Sequence, residues 1–113
     1  ALIRAADVYV SSSWSEGLGT SVLEALACQK PVVATDAGGV REMLLDGQTG
    51  WLVPNRNPNQ LAAAIAECLD SPGNVQRCAE AGRALVERKF SVEKMVEGTI
   101  SVYESLTAAP EAP

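Results

Sequence analysis

Two glutamates flank a short glycine-containing loop near the start of this 113-residue chain. Glu16 and Glu24 stand eight positions apart, and Gly17 and Gly19 lie between them. A carboxylate accepts hydrogen bonds and cannot donate them, so it repels phosphate and suits a sugar diol. Glycine lets the backbone turn tightly and approach a ligand without a Cβ in the way. This spacing predicts a ligand-binding loop.

The residues after the loop predict a helix whose first turn faces the ligand. The helix opens at Thr20 or Ser21, and the free N–H groups of a helix start attract phosphate. Glu24 lies about one turn inside, roughly 6 Å further along at ~1.5 Å per residue. The apolar stripe at spacings of three and four consists of Val22, Leu23, Leu26 and Ala27. Carboxylates on both sides of a phosphate site predict a nucleotide-sugar as ligand.

The stretch from residue 15 to 54, SEGLGTSVLEALACQKPVVATDAGGVREMLLDGQTGWLVP, carries an ordered set of motifs. It resembles the donor-binding half of retaining, nucleotide-sugar-dependent glycosyltransferases of family 4, which have the two-domain GT-B fold. The resemblance extends over about residues 1–106. It implies that this chain is the C-terminal part of a longer enzyme, without the N-terminal acceptor domain and the first strands of the donor domain.

The resemblance also implies roles for individual residues. Glu16 would contact the donor sugar near the reacting carbon as the catalytic residue, and Glu24 would bind the nucleotide ribose. The donor-binding loop, whose backbone N–H groups would meet the diphosphate, consists of Gly17, Leu18, Gly19 and Thr20. The implied reaction is transfer of a hexosyl group with retention, without a metal or a cofactor other than the nucleotide-diphosphate sugar. The cations that neutralise the diphosphate in the family are missing from this chain, so we expect the isolated chain to be inactive.

Each of these assignments has a structural alternative. Glu16 can be a surface glutamate, and Glu24 can be a solvated helix residue favoured by the helix dipole. We expect Glu24 to be partly buried because apolar residues surround it in the sequence. Asp36, at a strand end, is interpreted as the cap of the next helix. Trp14 and Trp51 are interpreted as packing residues rather than stacking platforms.

The charge, hydropathy and residue composition of the chain argue against several classes of function. A net charge of −5 and a pI of about 4.6 argue against nucleic-acid binding. No apolar run approaches the ~18 residues of a membrane span. The odd set Cys28, Cys68 and Cys78 has no metal-ligand spacing, which predicts buried reduced thiols and a cytoplasmic setting. The chain has no histidine, the usual base of serine and cysteine hydrolases.

Alternation of strands and helices predicts an α/β fold. We expect half of a doubly wound, Rossmann-like parallel sheet of about three strands, followed by C-terminal helices. The strands are predicted at residues 7–10, 31–35 and 51–54. Helices follow at about 20–29 and 40–45. A further helix is predicted with Asn57 as its cap, another from about Asn74 to Lys89, and a last one with Ser91 as its cap. Residues 1–106 form the predicted partial domain, and residues 107–113 a disordered tail.

Two details of the helices are predicted as well. Gln29 stands at the end of the first long helix, where the family has glycine, so it must adopt a left-handed conformation. The last helix is predicted to face inward through the apolar side chains of Val92, Val96, Ile100, Tyr103 and Leu106.

The first predicted strand lacks one neighbour, which leaves an apolar sheet edge open. We therefore expect a homodimer through this edge, or marginal stability. Two rival functions stay open beside the glycosyltransferase hypothesis. One is a non-catalytic α/β interaction module, and the other is the donor half of a different GT-B enzyme, an epimerase or a phosphorylase.

Overall fold

A computed structural model describes residues 1–108 of the chain. Three strands, β1 (Tyr9–Ser11), β2 (Val32–Thr35) and β3 (Trp51–Val53), form one parallel sheet in that order. The central strand β2 is buried at every position, which suits an apolar strand covered on both faces. The first strand includes Ser11, one residue beyond the end of the strand predicted at residues 7–10. Ser11 is buried in the strand, and its carbonyl accepts a hydrogen bond from Thr35 Oγ1 at 3.4 Å.

Helices precede, connect and follow the strands. In the described residues they are α1 (Leu2–Ala5), α2 (Thr20–Ala27), α3 (Val40–Met43), α4 (Pro58–Asp70), α5 (Pro72–Lys89) and α6 (Val92–Thr107). The predicted α/β architecture, a three-stranded parallel sheet with C-terminal helices, is confirmed.

Two apolar cores lie on opposite faces of the sheet. On β2, Val32 and Ala34 join the core formed with α2 and α3, whereas Val33 joins the core formed with α4. The long helix α5 contributes to both, through Val86 to the first core and Cys78 to the second. Because both faces are covered, ligands have access to this sheet from the carboxyl ends of its strands.

Local hydrogen bonds set the helix ends. The side chains of Asn57 and Ser91 each accept a bond from the backbone N–H three residues on, at 3.0 and 3.2 Å, so both predicted caps are confirmed. Helix α5 begins at Pro72 rather than at Asn74, because proline is well suited to the first helical position.

The end of α2 confirms the prediction for Gln29, whose φ is 57°. Its N–H donates to the Leu26 carbonyl at 2.9 Å, and the Lys30 N–H donates to the Ala25 carbonyl at 3.1 Å. This pair of bonds is the Schellman motif, which satisfies carbonyls left open at a helix end. A left-handed conformation costs an L-residue about 1 kcal/mol.

The prediction that α6 faces inward is wrong. Its predicted inward side chains are between 45% and 76% exposed, and within residues 1–108 no other segment buries any α6 residue. The apolar periodicity does produce an amphipathic helix, but periodicity specifies a face and not a partner. Helix α6 also continues to Thr107, the first residue of the predicted tail, and residues 109–113 of that tail lie outside the described residues.

The edge of β1 has no strand partner other than β2 within residues 1–108. Val10 on this strand is 41% exposed. The homodimer through this edge stays a prediction. Across the same residues, no helix combines the length and the apolar content that crossing a membrane requires.

Candidate functional site

The loops that follow the three strands are joined to one another at the carboxyl edge of the sheet. The first loop spans residues 12–19, the second 36–39 and the third 54–57. Thr35, at the end of β2, donates its hydroxyl to the carbonyl of Ser13 at 2.6 Å. The side-chain amide of Asn55 donates to the carbonyl of Trp14 at 2.7 Å. The path of the first loop is therefore determined by its neighbours.

The closest approach is between the first and second loops. Gly38 has a φ of +55°, and a Cβ at this position would lie 1.9 Å from the carbonyl oxygen of Glu16. The next residue, Gly39, donates its N–H to the carbonyl of Gly17 at 2.8 Å. The peptide that follows Glu16 thus rests directly on the turn of the second loop, where a side chain has no room.

The start of α2 is open on its first turn. Gly19 is the N-cap, with a φ of 84°, and its carbonyl accepts bonds from the N–H groups of Val22 and Leu23 at 3.0 and 3.3 Å. No side chain of the described residues caps this helix. Thr20 and Leu18 are exposed beside it. Uncapped N–H groups at a helix start, next to an exposed loop, can receive an anion.

Glu16 is half-buried and has a defined orientation. The hydroxyl of Ser13 donates to Glu16 Oε1 at 2.6 Å. That bond uses one carboxylate oxygen and leaves the other as an acceptor toward a ligand. The structure therefore places this carboxylate on the loop that leads into the open helix start, and both the loop backbone and the Glu16 side chain are held by neighbours.

Glu24 is exposed, so the expectation of partial burial is wrong. The buried face of α2 consists of Val22, Ala25 and Leu26, and Glu24 lies outside it. It lines a hollow of about 560 Å³ between α1 and α2, together with Arg4 and Cys28. Glu16 and Glu24 thus occupy the loop and the helix of one βα unit, as the spacing predicts.

Asp36 does not cap the next helix. Its carboxylate accepts two bonds from the guanidinium of Arg41, one of them from Nε at 3.0 Å. The N-cap of α3 is Gly39, which has no side chain. The hydrogen bond to Asp36 and its charge raise the pKa of Arg41. This ion pair holds the second loop to the helix that follows it.

The two tryptophans differ. Trp51 is 6% exposed and packs in the second core, as predicted, but Trp14 is 70% exposed, so its assignment as a packing residue is wrong. The guanidinium carbon of Arg56 lies 4.8 Å from the centroid of the Trp14 ring. Serines surround Trp14 in the sequence, and this polar context indicates an exposed side chain.

A second hollow, of about 400 Å³, opens beside this pair at the ends of β1 and β2. Its lining residues are Ser12, Trp14, Thr35, Arg56, Asn57, Pro58 and Leu61. Within residues 1–108, no group of three or more His, Cys, Asp or Glu side chains is arranged to hold a metal ion. What this edge offers a ligand is hydrogen-bond donors and acceptors, an aromatic face and a guanidinium.

Residues 1–85 match the family of group 1 glycosyl transferases. The chain is 39% identical over 105 residues to an uncharacterized glycosyltransferase of Methanocaldococcus jannaschii, and the match covers 93% of this chain and 30% of that protein.

The chain is also similar in fold and sequence to solved structures. The fold is similar to that of HepE from Anabaena in complex with UDP, with a TM-score of 0.86 and 28% identity over 92% of this chain and 29% of that one. Sucrose-phosphate synthase from Thermosynechococcus elongatus has a TM-score of 0.87 and 34% identity over 96% of this chain and 27% of that one. The chain therefore spans less than a third of these proteins.

Proposed function

Because the chain belongs to the group 1 glycosyl transferase family, we propose that it forms the donor-binding part of a hexosyltransferase. The donor is a nucleotide-diphosphate sugar, and transfer retains the configuration of the anomeric carbon. One observation carries the proposal: the Glu16–Gly17 peptide rests on the glycine turn of the second loop, beside an uncapped helix start.

The donor runs along the βα unit that holds both glutamates. The diphosphate meets the N–H groups at the start of α2. Glu16 accepts hydrogen bonds from the donor sugar near the reacting carbon, and Glu24 accepts bonds from the ribose at the hollow beside α1. The donor-binding loop consists of Gly17, Leu18, Gly19 and Thr20. HepE, which has this fold, was solved with UDP and with UDP-glucose, and these complexes support a nucleotide-sugar as ligand.

Charge stabilisation is the main contribution of this chain to the reaction. The leaving diphosphate carries negative charge, and preorganised N–H donors at a helix start stabilise such charge. We propose that the reaction uses no metal and no cofactor besides the donor. The cations that complete the diphosphate site, and the acceptor domain, belong to the N-terminal part of a longer enzyme. The isolated chain is therefore inactive, and the cytoplasmic setting predicted from the cysteines remains a prediction.

A nucleotide titration tests the donor site. UDP, GDP and ADP are added to the 113-residue chain, and binding is followed by nitrogen-15 NMR of the backbone amides at the start of α2. We expect saturable binding of at least one nucleotide, weakened about tenfold or more in Glu24→Ala, since a hydrogen bond to a charged group contributes about 1.5–3 kcal/mol. Glu104→Ala, which removes an exposed glutamate from α6, is the matched control.

Equal binding by the Glu24 variant would contradict the ribose role of Glu24. Failure of all three nucleotides to bind would contradict a donor site on the isolated chain. In that case either the N-terminal part supplies essential contacts or the chain is a non-catalytic interaction module, which the unpaired edge of β1 favours. Product analysis with the full-length protein separates glycosyl transfer from epimerase or phosphorylase activity.

A further inference from the structure

The hollow beside Trp14 lies apart from the hollow that contains Glu24. Its residues Thr35 and Leu61 lie toward α4, on the face of the sheet where Val33 packs. Glu24 lies beside α1 and α2, which cover the opposite face. The nucleotide site proposed above therefore leaves the second hollow, which includes Ser12 and Trp14 of the first loop, unused.

Arg56 is a cation without a carboxylate partner in the described part of the chain. The ion pairs within residues 1–108 involve Arg41, Arg83 and Lys94, each with an Asp or Glu. No acidic side chain lines the hollow either. On a chain with a net charge of −5, an uncompensated guanidinium at the carboxyl edge of the sheet is a local attraction for anions.

The backbone holds Arg56 and Trp14 together. Arg56 has a φ of 58°, a left-handed conformation that non-glycine residues rarely adopt. Asn55 fixes it, because its Oδ1 accepts the Arg56 N–H at 2.9 Å while its amide donates to the Trp14 carbonyl at 2.7 Å. One side chain thus joins the two loops that present the aromatic ring and the guanidinium.

These groups are suited to a particular class of ligand. An indole ring packs against the C–H face of a sugar, and an exposed ring next to an open hollow is accessible for this contact. A guanidinium binds carboxylate and phosphate through two parallel hydrogen bonds. The volume, about 400 Å³, lies within the range of roughly 300–1,000 Å³ for small-molecule sites.

We propose that the Trp14–Arg56 hollow binds a monosaccharide that carries a phosphate or a carboxylate. Trp14 packs against the sugar ring, and Arg56 binds the anionic group. Since Glu16 follows Trp14 by two residues in the same loop, the bound sugar lies near the donor sugar, and the hollow is a subsite for the acceptor. The acceptor role rests on the proposed glycosyl transfer, whereas the binding of an anionic sugar does not.

Binding is measured on the 113-residue chain by nitrogen-15 NMR of the two indole N–H groups, assigned with Trp14→Phe. The probes are glucose 6-phosphate, glucuronate, glucose and inorganic phosphate. We expect glucose 6-phosphate or glucuronate to shift the Trp14 signal saturably, while the buried Trp51 signal stays in place. Glucose and phosphate alone bind at least about tenfold more weakly, since each lacks one of the two contacts.

Two variants that each remove one positive charge separate the role of Arg56 from a general effect of charge. Arg56→Gln weakens the binding of glucose 6-phosphate about tenfold or more, whereas Arg88→Gln, which removes an exposed guanidinium from α5, leaves it unchanged. Equal losses in both variants, equal binding of phosphate alone, or no shift of Trp14 with either anionic sugar would each overturn the proposal.

UDP is titrated in parallel to keep this site distinct from the donor site. Loss of UDP binding in Glu24→Ala, with glucose 6-phosphate binding retained, supports two separate sites. If none of UDP, GDP and ADP binds but glucose 6-phosphate does, the donor assignment and the acceptor role fail for this chain, and the anionic-sugar site stands.

Discussion

Replacing Gly38 by alanine tests how the Glu16 loop is held. The new Cβ would lie 1.9 Å from the Glu16 carbonyl oxygen, and contacts under 3.0 Å are not tolerated, so the Glu16–Gly17 peptide must move by about 1 Å or more. The left-handed φ of +55° adds about 1–2 kcal/mol for any L-residue. Overpacking adds about 1–3 kcal/mol. We expect Gly38→Ala to lower the free energy of unfolding by about 2–5 kcal/mol in total.

Gly47 provides the matched control. Its φ is +73°, but a Cβ there meets no atom of the described residues within 4 Å. Gly47→Ala therefore carries the backbone strain without the clash, and we expect a loss of about 1–2 kcal/mol. The difference between the two variants, measured by urea unfolding of the 113-residue chain, isolates the contact with Glu16.

The same two variants test whether the contact between Gly38 and Glu16 affects ligand binding. A shift of about 1 Å in the Glu16–Gly17 peptide moves the carboxylate and the loop N–H groups away from the ligand, so nucleotide affinity should fall at least about tenfold in folded Gly38→Ala. Gly47→Ala should bind nucleotide like the unaltered chain. If Gly38→Ala destabilises the chain no more than Gly47→Ala, the close packing of the two loops is refuted.

Three further predictions concern the scaffold. Burial raises the pKa of the Cys68 and Cys78 thiols above the ordinary 9.0, so the stability they contribute is present below about pH 9 and is lost as pH rises through the raised values. The melting temperature should thus fall between pH 8 and pH 10, with a smaller fall in the Cys68→Ala/Cys78→Ala variant, and an equal fall in both would refute the assignment. Removing residues 92–113 should change the free energy of unfolding by less than about 1 kcal/mol, since the described part of that segment buries no side chain; a truncated chain that fails to fold would contradict this. The open edge of β1 should produce either a dimer, detected by light scattering, or a marginally stable chain, detected by thermal melting. A monodisperse monomer with a cooperative melt would exclude both.

Features that depend on neighbouring residues could be predicted from the sequence. The cap at Asn57, the left-handed Gln29 and the strand β2 all depend on hydrogen bonds or burial patterns within a few residues. The loop between Glu16 and Glu24 was identified in the same way, from residue types at short spacing. Its motifs also indicated the family, because ordered motifs over most of the chain are far more specific than one glycine pair. The roles of the two glutamates remain proposals.

Tertiary contacts determined the features that the sequence did not predict, which are the contacts between loops and the exposure of side chains. Gly38 packs on Glu16 although the two are far apart in the chain, and Asn55 bonds to Trp14 across 41 residues. No local pattern encodes such contacts, because they depend on where parallel strands bring successive loops. The exposure of Trp14 and of α6 has the same origin. A sequence shows that a side chain or a helix face is apolar, but only the arrangement of the other elements determines whether anything covers it.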